Sequence, residues 1–250
     1  MNYPFIFYAR MAIALTALGC ASYQDVKRRE VDDSVWLFSV PATLFLSVFD
    51  CTAGVADPVQ LVVSLAFTFG IGFLLSHFGL YGGADVKALI LIASAFPSYP
   101  PGMQIPLWKI IPLPALAVIF IAVLFSAAYP ISIFTSNLMA MLGGDDPLEG
   151  LDEKSPFKRL LLLMTARRVP IKELAGLLKY FPAERIVMEG DTLRRKPILF
   201  VHAEADVDRM VEELMKHKEL YKDGVLASPT IPMVALLEAA SILLSILLFL

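Results

Sequence analysis

Apolar runs dominate the pattern along this chain, at about 5–23, 34–51, 59–78, 86–101, 111–136 and 231–250. Short polar stretches separate them, except for one long polar stretch before the last. A run of about 20 uncharged residues crosses a bilayer as a helix. The second, third and sixth runs meet that length cleanly. The first carries Arg10, which is expected to snorkel from near one end of its helix. Pro97, Pro100 and Pro101 cut the fourth short, so it reads as a stubby helix completed by irregular chain, or as a re-entrant segment. The fifth is long for one crossing, and a tilted helix with an interfacial extension beyond Pro130 would absorb the excess.

Charge decides the orientation. Of the 21 Lys and Arg residues, 15 lie between Leu142 and Thr230, and Lys27, Arg28 and Arg29 follow the first run. Residues 52–58 hold no basic residue and 102–109 only Lys109. Six crossings place 24–33, 79–87 and 142–230 on the cytosolic side, as the positive-inside rule prefers, with both termini outside. The stretch 145–228 mixes basic and acidic residues and reads as water-soluble. Ile186-Val187-Met188 and Ile198-Leu199-Phe200-Val201-His202 are strand-like, with Glu189-Gly190-Asp191 suited to a turn between strands. Asp206 to Tyr221 reads as an amphipathic helix with Val207, Met210, Val211 and Leu214 on its apolar face. Pro170 suits the first turn of another short helix. The expected fold is a membrane all-α, six-transmembrane-helix bundle with a small α+β cytosolic domain inserted between helices five and six. Its parts are a membrane domain over 1–144, the cytosolic domain over 145–228 and the sixth helix over 229–250.

Composition agrees with a polytopic membrane protein. The 250 residues are 57% hydrophobic with a mean hydropathy of +0.68. Net charge is −3, and no basic stripe with interleaved aromatics suggests a nucleic-acid partner. The first run lacks a basic leader and a small-x-small cleavage site, and is expected to stay as a span. Cys20 and Cys51 fall near opposite membrane faces, which excludes a disulfide, and both read as small core residues. Without a Cys-x-x-Cys pair, a structural zinc site is not expected, and the sequence carries no signal of oligomeric state.

The candidate chemistry lies in two matching tripeptides, Asp25-Val26-Lys27 and Asp85-Val86-Lys87, each beside an apolar run. A carboxylate at a membrane segment is costly and is a functional-site candidate by default. Asp25 falls where the first span emerges into the cytosol, and Asp85 where the fourth begins, after Gly82-Gly83-Ala84. The small residues allow close backbone approach, from a neighbouring helix or an extended peptide. Two carboxylates about 4 Å apart repel by roughly 4 kcal/mol at an effective dielectric near 20, so such a pair holds one proton across neutral pH. One member then activates water as a base while the other donates to a carbonyl oxygen, the chemistry of an aspartic protease. Lys27 and Lys87 either favour the ionised pair and fix the loops, or serve as positive-inside anchors. Glu30, Asp32 and Asp33 are weak candidates for an acidic surface toward a basic substrate. Glu238, a turn or two into the last span, either hydrogen-bonds within the bundle or contacts a substrate helix. His77 reads as an interfacial residue and Gly143-Gly144-Asp145-Asp146 as a turn.

At these motifs the chain resembles the archaeal preflagellin peptidases, within the type IV prepilin peptidase family of membrane aspartic proteases. The matching elements are Asp25-Val26-Lys27-Arg28-Arg29, Gly82-Gly83-Ala84-Asp85-Val86-Lys87 and Ser228-Pro229-Thr230-Ile231-Pro232. Ala84 stands where a strict Gly-x-Gly-Asp motif has its second glycine. The resemblance implies a multi-pass cell-membrane endopeptidase that cuts the short basic leader from archaellin or pilin-like precursors at the cytosolic face. It implies Asp25 and Asp85 as the catalytic pair, with no metal or cofactor. Bacterial members that also methylate the new N-terminus often carry paired cysteines in a cytosolic loop. None occur here, so proteolysis without methyl transfer is expected. A membrane carrier and a non-catalytic pilus or archaellum assembly subunit are the competing readings. Both aspartates at one boundary, and no repeat of spans, argue against the carrier. A presenilin-like protease would bury its aspartates deeper and carry a Pro-Ala-Leu motif, which is absent.

Overall fold

The apolar runs fold as helices: α1 (Tyr3–Arg28), α2 (Asp33–Thr52), α3 (Pro58–His77), α4 (Gly83–Ala95), α5 (Pro114–Ser126), α6 (Ala128–Leu142) and, near the C-terminus, α10 (Met233–Leu247). The computed structural model describes residues 3–100, 111–174, 180–189, 192–199, 207–221 and 224–248. Among them, Phe5–Arg28, Asp33–Thr52, Pro58–His77 and Pro114–Leu142 are long and apolar enough to cross a bilayer. The last of these is α5 and α6 in succession, with a turn at Ala127. α4 has 13 residues and α10 has 15, both short of the 20 or so that a full crossing takes. Four candidate spans thus stand where six crossings are expected. Many large apolar side chains face outward, such as Val62, Phe69 and Phe73 on α3, which suits lipid and not water.

The chain divides into two compact units, 1–125 with 232–250, and 126–231. In the first unit α4 is the hub, packed on α1, α2, α3 and α10. Ala88, Ala93, Ser94 and Ala95 are fully buried there, and their small side chains let neighbouring helices close in. Arg10 does not snorkel. It is 3% exposed, bridges to Asp50 Oδ2 at 3.0 Å and donates to Ser47 Oγ at 2.6 Å. Ser39, Thr43, Ser47 and Asp50 recur along one buried face of α2. Ser47 donates to the Ser94 carbonyl, and Thr43 Oγ1 meets Ser94 Oγ at 2.6 Å, so one polar seam ties α1, α2 and α4. A lone guanidinium there would be too costly to bury, and Asp50 is what keeps it inside. Cys20 is exposed and Cys51 partly so, which corrects their expected place in the core.

The second unit holds α6, α7 (Pro156–Thr165), β1 (Arg167–Val169), α8 (Ile171–Leu174), β2 (Tyr180–Pro182), β3 (Glu184–Glu189), β4 (Thr192–Pro197), α9 (Val207–Lys216), a short 3-10 turn (Lys218–Tyr221) and β5 (Val225–Pro229). β5 lies between β1 and β2, antiparallel to both, while β3 and β4 form a hairpin. The second hairpin strand is Thr192–Pro197, and Ile198 and Leu199 follow it outside the strand. Glu189 pairs with Thr192, and this register draws the basic Arg194-Arg195-Lys196 into the ladder. Of the expected strand, Phe200, Val201 and His202 lie outside the described residues. Arg195 is tolerated because it forks onto Glu184, at 2.7 and 2.8 Å. Glu184 is fully buried and also accepts the Leu226 N–H, linking the hairpin to β5. Val211 and Leu214 of α9 enter the core as the periodicity requires. Gly224 has φ of 101°, and a Cβ there would meet the Val169 carbonyl at 2.6 Å, so only glycine fits.

Removing one member of the Arg10–Asp50 pair should destabilise the detergent-solubilised protein by about 3–5 kcal/mol, as for other broken buried pairs. The double variant Arg10→Met, Asp50→Leu should recover most of that loss in thermal or denaturant unfolding. Equal stability of Asp50→Ala and the wild type would contradict the pairing.

Candidate active site

Asp25 sits near the end of α1, following the buried Ala14, Leu18 and Ala21 at helical spacing. Its side chain is partly buried, and Oδ2 is enclosed without a hydrogen-bond partner. The backbone N–H groups of Val234 and Ala235 reach the carboxylate from the first turn of α10. That turn has Pro232 at its cap position and no side-chain cap of its own. Asp25 thus lies beside a helix start, where the dipole favours negative charge. Arg29 ends α1 with φ of 59°, a left-handed conformation uncommon outside glycine, and its N–H closes on the Asp25 carbonyl at 2.9 Å. Its cation acts on the Asp25 carboxylate.

Asp85 is in the first turn of α4, ahead of the helix's apolar part. Its Oδ2 accepts the Gly82 N–H at 2.8 Å, so the carboxylate caps its own helix. Burial pushes its carboxyl up to about 6, with the Gly82 hydrogen bond working against that and the Asp25 charge adding to it. The two aspartates thus lie within electrostatic reach of each other, on helices that touch.

The neighbouring residues take different places from those the sequence suggests. A Cβ on Gly83 would meet nothing within 4 Å, and one on Gly82 only Asp85 Oδ2 at 3.6 Å. These glycines leave open space before α4; they are not where helices press together. The close approaches are at Gly72, against Val86, and at Gly19, where a Cβ would stand 3.0 Å from Glu238 Oε1. Glu238 accordingly lies in the α1–α10 contact. Lys27 turns back along α1, its Nζ 3.1 Å from the Tyr23 hydroxyl and over that ring. Lys87 bridges to Asp33 at 2.5 Å and so ties α4 to α2. Arg28 pairs with Asp32, while Glu30 is exposed. Tyr81, which no periodicity singles out, is buried with its hydroxyl unpartnered. Burial and then the Asp85 charge push its phenol up to about 12. His77 is exposed and stacks on Phe73. Gly143 and Gly144 do form a turn, which the Asp145 N–H closes on the Ala140 carbonyl. Among the described residues, no three His, Cys, Asp or Glu side chains gather in a way that would hold a metal ion.

Outward apolar faces and four bilayer-length helices define a multi-pass helical membrane protein carrying two neighbouring, partly buried aspartates. A model of the type IV leader peptidase family matches residues 12–145, over half of the chain and both aspartates, and the chain belongs to that family. It is similar to a preflagellin peptidase of Methanococcus voltae, 36% identical over 134 residues, which are 51% of this chain and 57% of that relative. It is also similar to a preflagellin peptidase of Methanocaldococcus jannaschii, 25% identical over 236 residues, covering 90% of this chain and 88% of that one. The match therefore spans little more than half of the first relative's length and most of the second's.

The raised Asp85 carboxyl sets a pH dependence of stability. The folded protein keeps this proton to about pH 6, whereas the unfolded chain releases it near 3.8, so stability falls as pH rises through that window. Asp85→Asn keeps an acceptor for the Gly82 N–H and removes the titration. It should flatten the thermal midpoint between about pH 4 and pH 6 and raise it at pH 7 relative to the wild type. An unchanged slope would contradict the assignment.

Proposed function

We propose that the chain is a membrane aspartic endopeptidase that removes the short basic leader from archaellin or type IV pilin-like precursors. In this reading the cut is made at the cytosolic membrane face, and the chain crosses the bilayer six times. α4 and α10 complete the crossings begun by the four longer spans, 145–228 forms the cytosolic domain and 229–250 carries the sixth helix. Membership of the leader peptidase family and the two preflagellin peptidase relatives support the substrate class. The observation that carries the chemistry is the electrostatic coupling of Asp25 and Asp85, both beside helix starts that supply backbone N–H donors.

The pair acts as a unit with one proton between its members. The ionised carboxylate takes a proton from water as the oxygen attacks the scissile carbonyl carbon. The protonated partner donates to the carbonyl oxygen, giving a neutral tetrahedral intermediate. Its collapse breaks the C–N bond, and the leaving nitrogen takes a proton from the acid that the base has become. One hydroxyl of the intermediate returns its proton to the partner carboxylate, which leaves a carboxyl group on the leader and restores the singly protonated pair. The products are a leader with a new carboxyl group and a mature chain with a new amine, with no methyl transfer. Lys87 holds α4 to α2 through Asp33, and Lys27 lies along α1, so both act by holding the frame and not as proton carriers. Open space at Gly82 and Gly83 leaves an approach for an extended peptide beside Asp85.

Asparagine is the informative substitution, because it keeps a hydrogen-bond acceptor at each helix start but shares no proton. Membranes holding the wild type, Asp25→Asn or Asp85→Asn would be mixed with an archaellin-type precursor, and leader loss followed by mass spectrometry. Each variant should lose at least about a hundredfold in cleavage rate while staying folded. Full cleavage by either one would overturn the proposal.

A further inference from the structure

Tyr81 stands out because its burial serves no visible purpose for its polar end. It is 7% exposed and belongs to the core cluster of the first unit, yet its hydroxyl has no hydrogen-bond partner. Leaving a buried hydroxyl unpaired costs stability, and phenylalanine would fill the same space without that cost. The residue directly precedes Gly82, whose N–H holds Asp85 Oδ2. Asp85 Oδ1 has no hydrogen bond among the described residues, which leaves this carboxylate secured at one oxygen only. A group fixed by a single donor swings about its own bond, and small misplacements of a reacting group are expensive in rate.

We infer that Tyr81 is a positioning residue: with a peptide bound, its hydroxyl donates to Asp85 Oδ1 and fixes that carboxylate toward Asp25 and the attacking water. The inference rests on the leader peptidase proposal above. The bound peptide excludes water from the space beside Asp85, and the hydroxyl then has the carboxylate as its partner. A second donor to the ionised form also steadies that form against protonation. The charged or titratable groups toward this end of the elements about α4 include Asp25, Lys27 and Arg28 on α1, Arg29 just after it, Asp33 on α2, His77 on α3, Lys87 on α4 and Glu238 on α10. None of them changes when the hydroxyl alone is removed.

The test is Tyr81→Phe in full-length protein in membranes, with an archaellin-type precursor as substrate. The expected result is an unchanged or higher thermal midpoint, with kcat lower by about ten- to a hundredfold and KM within about threefold. The acidic limb of the kcat profile, which reports the complex with bound peptide, should move to higher pH, because ionised Asp85 has lost a donor. A folded Phe variant with wild-type kcat and an unmoved acidic limb overturns the inference. So does a Phe variant that loses its midpoint while each folded molecule cleaves normally. Asp25→Asn and Asp85→Asn run beside it separate the two claims. If they lose cleavage while Tyr81→Phe keeps it, only the role of Tyr81 falls; if they cleave fully, the aspartate mechanism itself falls.

Discussion

A carboxylate among apolar side chains persists only where backbone donors or a cation answer it. The first unit meets that constraint at Asp25 and at Asp85. Asp25 is answered by the N–H groups that open α10, and Asp85 by the N–H of Gly82 at the start of its own helix. Each interaction is at once a helix cap and a means of holding an acid where water alone would not. The same donors that make the folded chain tolerate these charges also set where the carboxylates point. Stability and proposed chemistry therefore share the same few atoms.

The rest of the unit keeps those helix starts in place. α4 is too short to cross a bilayer by itself, and it is enclosed by α1, α2, α3 and α10. Away from the aspartates, Arg10, Asp50, Ser47, Thr43 and Ser94 bind α1, α2 and α4 into one seam. At the aspartate end, the Lys87–Asp33 bridge joins α4 to α2 again. These bonds fix the helices at both ends of α4, so the first turn of α4 and the last turn of α1 have little freedom to part. Exposed ion pairs such as Lys87–Asp33 contribute little energy individually, and the buried seam carries more of that restraint.

Much of this was legible from residue order, for reasons that are local. Apolar runs become helices because backbone groups in lipid must pair within their own segment. The two Asp-Val-Lys triplets announce themselves because charge is rare beside such runs. What escaped depends on partners distant in sequence. Arg10 reads as a snorkelling residue until Asp50, forty positions on, is found beside it. Strand β4 gives no strand-like signal because its basic residues mask it until Arg195 meets Glu184 opposite. Tyr81 gives no periodic signal, and the free donors of α10 belong to the backbone, which composition does not display. Gly82 and Gly83 suggested close approach of a helix or of an extended peptide; the tight helix contacts fall instead at Gly19 and Gly72. Hydropathy also gives no measure of helix length: among the described residues α4 and α10 have 13 and 15 residues, shorter than the other four candidate spans.

The adjacency of Asp25 and Asp85 is tested most directly by crosslinking. Cysteines would replace both aspartates in a chain where Cys20 and Cys51 are serine, and membranes would be treated with a mild oxidant or a short bifunctional thiol reagent. An efficient intramolecular crosslink between positions 25 and 85 is the expected result. Absence of a crosslink, with the two cysteines labelled from opposite sides of the membrane by an impermeant thiol reagent, would contradict a shared site.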